Sequence, residues 1–328
     1  LPLFMTAQIL QFALLFISLS LFGANLFDPS YINIWHLAAF ATWILAAVFF
    51  ILSNYLYPFF AYPWLVAATL IPMPWTISAS FDLESLGSAI VLFGWGSILA
   101  VGNEALQRIE RTRKYSLPVL LASMPSLALA VFTGFVHEFW LGSLTALGVA
   151  TIFTALHIFR TRWWLWTLAH LSFILAYFAF FQIDFIQKLD VFIGYQLLGI
   201  SLLFLLPDLL LKKDWRANPE WRLSPRILGA IFTACNLFFL LGAFNSVGSS
   251  VSYAVYTIFF TVYALAYKKP LLVYIPAATL PLAIVFGLDA YKVDAWLPIL
   301  TTLAVIYFIA GLALRTREGW TLTLRNSA

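Results

Sequence analysis

The chain has 328 residues, of which 63% are hydrophobic and only 10% are charged. Soluble domains carry about 25% charged residues, so this composition excludes an ordinary soluble domain and predicts a protein surrounded by lipid. The formal net charge of +4 does not indicate nucleic-acid binding, because the basic residues form short clusters between apolar runs. The single cysteine, Cys235, excludes a disulfide within the chain and a CxxC site.

Twelve apolar runs follow one another along the chain, and each is close to the ~20 residues that a helix needs to cross a bilayer. Proline lies inside several of them, which membrane helices tolerate because neighbouring groups satisfy the freed carbonyls. The sequence therefore predicts an all-α fold, a polytopic transmembrane helical bundle of about 12 helices. The predicted helices cover residues 3–23, 34–53, 61–80, 84–106, 117–136, 141–159, 163–183, 191–211, 227–245, 250–267, 271–288 and 295–314.

Basic and acidic residues occupy alternate connections between these helices. Every Lys and Arg except Lys188 and Lys292 lies near an even-numbered connection or in the C-terminal tail. The odd-numbered connections carry acidic residues instead: Asp28, Asp82, Glu84, Glu138, Asp184, Asp190, Asp289 and Asp294. Because cytoplasmic loops are enriched in Lys and Arg, we predict that the N- and C-termini are cytoplasmic, and we expect the plasma membrane of a prokaryote.

The basic clusters recur about every 50 residues, which is the length of one helical hairpin. This spacing favours duplicated hairpins, although any two helices rich in Leu, Ala and Pro resemble each other. We predict one integral membrane domain over 1–328, with halves 1–211 and 227–328 joined by the basic cytoplasmic loop 212–226. Because the sequence begins at Leu1 and not at methionine, we also expect it to be a fragment of a longer chain.

Ionisable residues within apolar runs are candidate functional residues, because a charge in lipid is costly. Glu104 and Asp208 are two of these, and each is a candidate for proton or cation binding near the inner end of its helix. The alternative that we favour is that each acid reaches water or a nearby Arg or Lys at the cytoplasmic boundary. Arg108 and Lys212 have the i,i+4 spacing that suits an ion pair with Glu104 and Asp208, respectively.

His157 and His170 flank the turn IFRTRWWLW on adjacent predicted helices. Two imidazoles from antiparallel helices are able to ligate haem iron or a metal ion. However, residues 139–183 contain no acidic residue or cysteine that could complete a metal site. We therefore favour packing histidines and predict no cofactor and no metal.

Four residues in the predicted outer connections form a second group of candidates: Asp82, Glu84, His137 and Glu138. They are of the types that an enzyme acting on a lipid-linked substrate at the outer face would use. The alternative that we favour is structural, with Ser80 or Asp82 capping the fourth helix and the acids interacting with its dipole.

The chain contains no P-loop, HExxH, GxSxG or EF-hand pattern. Broken helices at corresponding places in repeats are typical of transporters, so the prolines within odd-numbered helices favour a transporter or a lipid-handling, permease-like protein. These prolines are Pro72, Pro74, Pro125, Pro276 and Pro281. The alternatives are a membrane-embedded enzyme at the outer face and a non-catalytic assembly or scaffold subunit. Membrane lipids are the expected partners, and the sequence does not favour an enzyme.

Overall fold

The structure, a computed structural model, describes residues 2–27, 33–210 and 219–313. All regular secondary structure within these ranges is helical. Nine of the described helices have the length and hydropathy of a membrane span, and two shorter apolar helices, Met5–Ser18 and Trp296–Ala310, accompany them. The predicted class, a multi-pass helical membrane bundle, is therefore confirmed. The count of twelve spans stays a prediction.

The chain divides into two compact units, Leu1–Lys188 and Leu189–Ala328, which we call unit 1 and unit 2. The predicted halves, with their boundary at 212–226, stay a prediction, and residues 211–218 lie outside the described ranges. The helices of unit 1 are α1 (Pro2–Phe27), α2 (Asn33–Leu56), α3 (Tyr62–Leu70), α4 (Met73–Ser80), α5 (Ser85–Arg108), α6 (Arg113–His137), α7 (Phe139–Arg160), α8 (Trp163–Phe181) and the short α9 (Asp184–Gln187).

Unit 2 begins with α10 at Ile193, and its second helix starts earlier than the sequence predicts. The predicted helix begins at residue 227, after the loop 212–226, whereas the helix in the structure begins at Pro219. The helices of unit 2 are α10 (Ile193–Leu210), α11 (Pro219–Gly242), α12 (Ser246–Tyr267), a 3-10 turn (Pro270–Val273), α13 (Tyr274–Ala290) and α14 (Trp296–Ala313).

The predicted third helix, 61–80, is broken in two at Ile71 and Pro72, between α3 and α4. Pro74 has no N–H, so it cannot donate to the carbonyl of Leu70 in the previous turn. The indole Nε1 of Trp95 on α5 donates to that carbonyl oxygen at 2.9 Å instead. The helix break is therefore satisfied by a neighbouring helix. By contrast, Pro125 lies within the continuous helix α6.

Helices α5 to α8 form the main core of unit 1, and small residues let them approach closely. A Cβ added to Gly96 of α5 would lie 2.7 Å from Cγ of Leu127 on α6, and one added to Gly134 would lie 3.1 Å from Cα of Gly142. Around these contacts, buried apolar side chains such as Phe153 fill the space between the helices. Such close backbone packing holds membrane helices together where lipid supplies no hydrophobic driving force.

Within each unit, helix ends next to the basic connections meet at one side, which we call the basic side. In unit 1, Arg160 at the end of α7 hydrogen-bonds Glu104 near the end of α5 and Ser116 near the start of α6. In unit 2, Arg226 near the start of α11 hydrogen-bonds Asp208 and Tyr267 near the ends of α10 and α12. The alternation of charge along the sequence thus corresponds to alternating helix directions within each unit.

Candidate functional site

A cavity of about 580 Å³ lies at the basic side of unit 1, where the ends of α5 and α7 meet the starts of α6 and α8. Its wall includes three arginines, Arg113, Arg160 and Arg162, and the polar side chains of Gln107 and Ser116. None of the described residues that line it is acidic. A cavity lined in this way favours an anionic ligand, because guanidinium groups bind phosphate and carboxylate oxygens through paired N–H donors.

Arg160 is the most constrained of the three arginines. Its Nε donates to Oε1 of Glu104 at 2.5 Å, and its Nη2 donates to Oγ of Ser116 at 3.1 Å and to the backbone oxygen of Asn103 at 3.4 Å. The Ser116 hydroxyl in turn donates to Oδ1 of Asn103 at 2.6 Å. The side chains of Arg160 and Glu104 are only 12% and 19% exposed. The network therefore fixes the guanidinium at the cavity wall and joins three helices.

This network corrects the partner predicted for Glu104. The helical spacing favours Arg108, but the ion pair is made with Arg160 of α7. Arg108 is the last residue of α5 and is exposed, whereas Arg160 ends a helix that packs against α5 and α6. Tertiary packing therefore decides the pair over local spacing. The Glu104 carboxylate is thus paired with a guanidinium from another helix.

Arg113 and Arg162 are exposed, and neither forms an ion pair with any described residue. Since Glu104 balances only Arg160, the cavity retains an excess of positive charge. Two buried amide atoms also make no hydrogen bond within the described part of the chain, namely Oε1 of Gln107 and Nδ2 of Asn103. The cavity thus offers charged donors, with the Gln107 side chain also in its wall.

Asp208 forms the corresponding buried network in unit 2. Its carboxylate accepts two bonds from Arg226, at 2.5 and 3.0 Å, and one from the hydroxyl of Tyr263 at 2.5 Å. The hydroxyl of Tyr267 donates to the Asp208 backbone oxygen at 2.9 Å. The predicted partner Lys212 lies outside the described residues. The network joins α10, α11 and α12, and the carboxylate is fully paired.

Sequence reasoning misses Arg226 because it is assigned to a loop that precedes the helix. The only signal is its position: it is the last basic residue before a long apolar run. Once the start of α11 is placed at Pro219, Arg226 lies within the helix and faces the end of α10.

His157 and His170 both contact Trp166 of α8. The His157 ring stacks on the indole with centroids 5.2 Å apart, and the indole meets the His170 ring edge-on at 4.1 Å. Nδ1 of His157 lies 2.9 Å from the backbone oxygen of Arg162, and both histidines are buried. The described residues contain no group of three or more His, Cys, Asp or Glu side chains placed to hold a metal ion. The histidine–tryptophan cluster packs α7 against α8.

The outer-face candidates are partly brought together on the side opposite the cavity. Nδ1 of the half-buried His137, at the end of α6, lies 2.7 Å from the hydroxyl of Ser85, the first residue of α5. Sequence reasoning misses Ser85. Nothing in the sequence marks it except its place in the same set of connections as His137. The three acids, Asp82, Glu84 and Glu138, are exposed.

The predicted cap of the helix that starts near residue 84 is wrong. Glu84 is the N-cap of α5 and makes no side-chain capping bond, while the Ser80 hydroxyl donates within α4 to the oxygen of Thr76 at 2.6 Å. Asp82 lies in the turn between the two helices with a φ of 46°, a conformation that Asp adopts more readily than most residues. Ser80 is the last residue of α4, and Asp82 lies two residues before Glu84. Neither residue therefore occupies the N-cap position of α5.

The cavity of unit 1 is therefore the described feature with the clearest chemical preference, which is for an anion at the basic side of a membrane-embedded bundle. Comparison of the chain with protein-family models, with curated proteins and with solved structures gives no match.

Proposed function

We propose that this multi-pass membrane protein binds a phosphate-bearing anionic ligand in the basic cavity of unit 1 and acts in lipid handling. The observation that carries the proposal is the set of three arginines around one cavity of about 580 Å³, without an acidic residue in its described wall. Arg160 is already oriented by Glu104 and Ser116, so its binding geometry is prepared before a ligand arrives. Basic pockets between membrane helices on the cytoplasmic side are typical sites for anionic lipid headgroups.

We also infer the position of the cavity relative to the membrane. Lys and Arg concentrate in cytoplasmic loops, so the basic side of each unit is expected to face the cytoplasm, with both termini on that side. The broken helix α3–α4, together with α1 and α14, would complete the nine long helices to twelve spans. A prokaryotic plasma membrane, rich in anionic lipid, is the location that we propose.

Lipid handling is favoured over passage of a polar solute through the bundle. The helix break at Ile71 and Pro72 is the feature that most resembles a transporter site, yet Trp95 already satisfies the freed carbonyl of Leu70. The cavity that includes Leu70 in its wall measures about 430 Å³, and its other lining residues, such as Val66 and Leu99, are mainly apolar. This cavity suits hydrocarbon better than a polar solute.

The proposal is tested by binding measurements with arginine variants. Detergent-purified protein is titrated with phosphatidylglycerol and, for comparison, zwitterionic phosphatidylcholine, and bound lipid is counted by native mass spectrometry. In the variant Arg113→Gln/Arg162→Gln we expect at least a tenfold loss of phosphatidylglycerol affinity, since one bond to a charged group contributes ~1.5–3 kcal/mol.

The matched control is Arg108→Gln/Arg111→Gln, which removes two exposed charges from the same side but none from the cavity wall. It should bind phosphatidylglycerol within about twofold of the parent protein, because surface charge is screened by salt. Equal losses in the two variants, or no preference for the anionic lipid, would refute a specific site.

An enzyme at the opposite side is the second candidate, and the hydrogen bond between Ser85 and His137 favours it. A hydroxyl paired with an imidazole is the arrangement of an activated nucleophile, in which the histidine takes the proton as the oxygen attacks an ester carbonyl. Ser85 should then react with a fluorophosphonate probe in the parent protein and not in His137→Ala. Absence of labelling at Ser85 in the parent protein would eliminate this candidate.

A further inference from the structure

An apolar groove of about 530 Å³ adjoins the basic cavity of unit 1. Leu117 of α6 and Trp164 of α8 belong to the walls of both, so the cavity and the groove are neighbours. The remaining groove residues are Leu121, Met124, Trp163, Thr167 and Leu168. A charged cavity beside an apolar groove has the form of a site for an amphiphile.

The groove extends from the basic side along the two helices. Leu117, Leu121 and Met124 are spaced i, i+4 and i+7, so they share one face of α6, and they span about 10 Å along its axis. Trp164 and Leu168 have the same spacing on α8. Because α6 and α8 both start at the basic side, the groove leads from the arginines along these two helices, toward their apolar middle parts.

The groove surface is mainly apolar, and several of its lining residues are exposed. Thr167 is its single hydroxyl residue among the described lining, and this hydroxyl donates to the backbone oxygen of Trp163 at 3.0 Å. Leu117 is 50% exposed and Trp163 is 69% exposed. The groove is therefore suited to a hydrocarbon chain that enters from the exposed side of α6 and α8.

We propose that the cavity and the groove form one site for a membrane phospholipid, with the phosphate among Arg113, Arg160 and Arg162 and one acyl chain between α6 and α8. This inference rests on the proposed function and adds that the ligand is a lipid and not a free phosphate compound. The charge of the arginines selects the headgroup, and the neighbouring apolar groove selects the chain.

The decisive comparison uses phosphatidylglycerol and the soluble headgroup probe glycerol 3-phosphate. The parent protein should bind the lipid at least tenfold more tightly than the headgroup probe. Leu121→Trp fills the groove without changing any charge. It should lower lipid affinity at least tenfold and leave glycerol 3-phosphate affinity unchanged. The matched control Leu144→Trp, at a position that is 58% exposed on α7 and lines neither space, should change neither affinity.

A second readout requires no variant and is therefore independent of folding defects. Phosphatidylglycerol with a photoreactive acyl chain is crosslinked to the parent protein, and the modified peptides are mapped by mass spectrometry. Crosslinks should concentrate within 117–124 and 163–168, and excess unlabelled phosphatidylglycerol should suppress them.

The outcomes separate the two proposals. If glycerol 3-phosphate binds as tightly as the lipid, or Leu121→Trp retains full lipid affinity, the lipid assignment is wrong while the anion site stands. If the affinities for both compounds are unchanged in Arg113→Gln/Arg162→Gln, the anion site itself is wrong. Crosslinks spread evenly over all exposed helices would likewise overturn the lipid assignment.

Discussion

Glu104 and Arg160 show how one buried ion pair supports the candidate site. We expect Glu104→Gln to lower the free energy of unfolding by about 1–3 kcal/mol, because Arg160 then keeps a largely buried charge without its counter-charge. The double variant Glu104→Gln/Arg160→Met should be more stable than Glu104→Gln, since it removes the unpaired charge as well. Thermal unfolding in detergent measures both effects. The exposed Glu110→Gln serves as control and should change stability by less than about 0.5 kcal/mol.

Asp208 is the more deeply buried acid, and its replacement should cost more. Asp208→Asn removes the charge that accepts two bonds from Arg226 and one from Tyr263, so we expect a loss of about 3–5 kcal/mol. The exposed Asp294→Asn in the same unit is the matched control. Parallel unfolding curves by tryptophan fluorescence provide the measurement. A loss no larger than that of the control would show that the Asp208 network adds nothing to stability.

At this scale, the sequence singles out the acids but not their partners. Glu104 and Asp208 are conspicuous because they are ionisable residues at the ends of apolar runs. Arg160 lies 56 positions from Glu104, and only the packing of α7 against α5 and α6 brings them together. Arg226 lies 18 positions from Asp208 and is hidden by an ambiguous helix start. Hydropathy carries no information on such pairs, so the cavity that Arg160 lines could not be predicted either.

At the scale of the elements, the break between α3 and α4 depends on a donor from another helix. Trp95→Phe removes the bond to the Leu70 oxygen, and we expect a loss of about 1–3 kcal/mol because the carbonyl is left unsatisfied in an apolar setting. Pro74→Ala restores a backbone N–H from which the Leu70 oxygen is able to accept a hydrogen bond. Trp95→Phe should therefore lower the free energy of unfolding by less in that background. A double-mutant cycle of unfolding free energies tests this coupling.

The control for this cycle is Trp64→Phe, which alters a tryptophan of α3 that is 47% exposed. It should be nearly neutral in both backgrounds. If Trp95→Phe costs the same with and without Pro74, the indole does not compensate for the proline. Hydropathy predicts that residues 61–80 are apolar and helical but cannot reveal the break, because proline sits inside continuous helices elsewhere, as Pro125 does in α6.

At the scale of the whole molecule, composition predicts the helical class of the fold, and charge alternation predicts the directions of the helices. An apolar chain with few charges must form helices in lipid, because only helices satisfy the backbone within each segment. The alternation of basic and acidic connections predicts helix direction, and within each unit the basic ends do meet. The division after Lys188 has no sequence signal, because no change of composition marks it.

Sidedness is tested with single cysteines in a Cys235→Ala background and an impermeant maleimide. Cysteines at Arg111 and Lys269 should be protected in intact bacteria and labelled after permeabilisation, since we place the basic side in the cytoplasm. A cysteine at Asp294 should be labelled in intact cells. Labelling of all three positions in intact cells would refute the proposed topology.

The long separation of Glu104 and Arg160 also has a consequence for biosynthesis. Chains grow at ~5–20 residues per second, so the 56 intervening residues delay the arrival of Arg160 by roughly 3–11 seconds. During that interval α6 and α7 are themselves still being synthesised, so the Glu104 carboxylate on α5 has no guanidinium partner. Glu104 must therefore wait in hydrated surroundings, and a nascent chain arrested before α7 should seat the hairpin of α5 and α6 less firmly in the bilayer than the finished protein does.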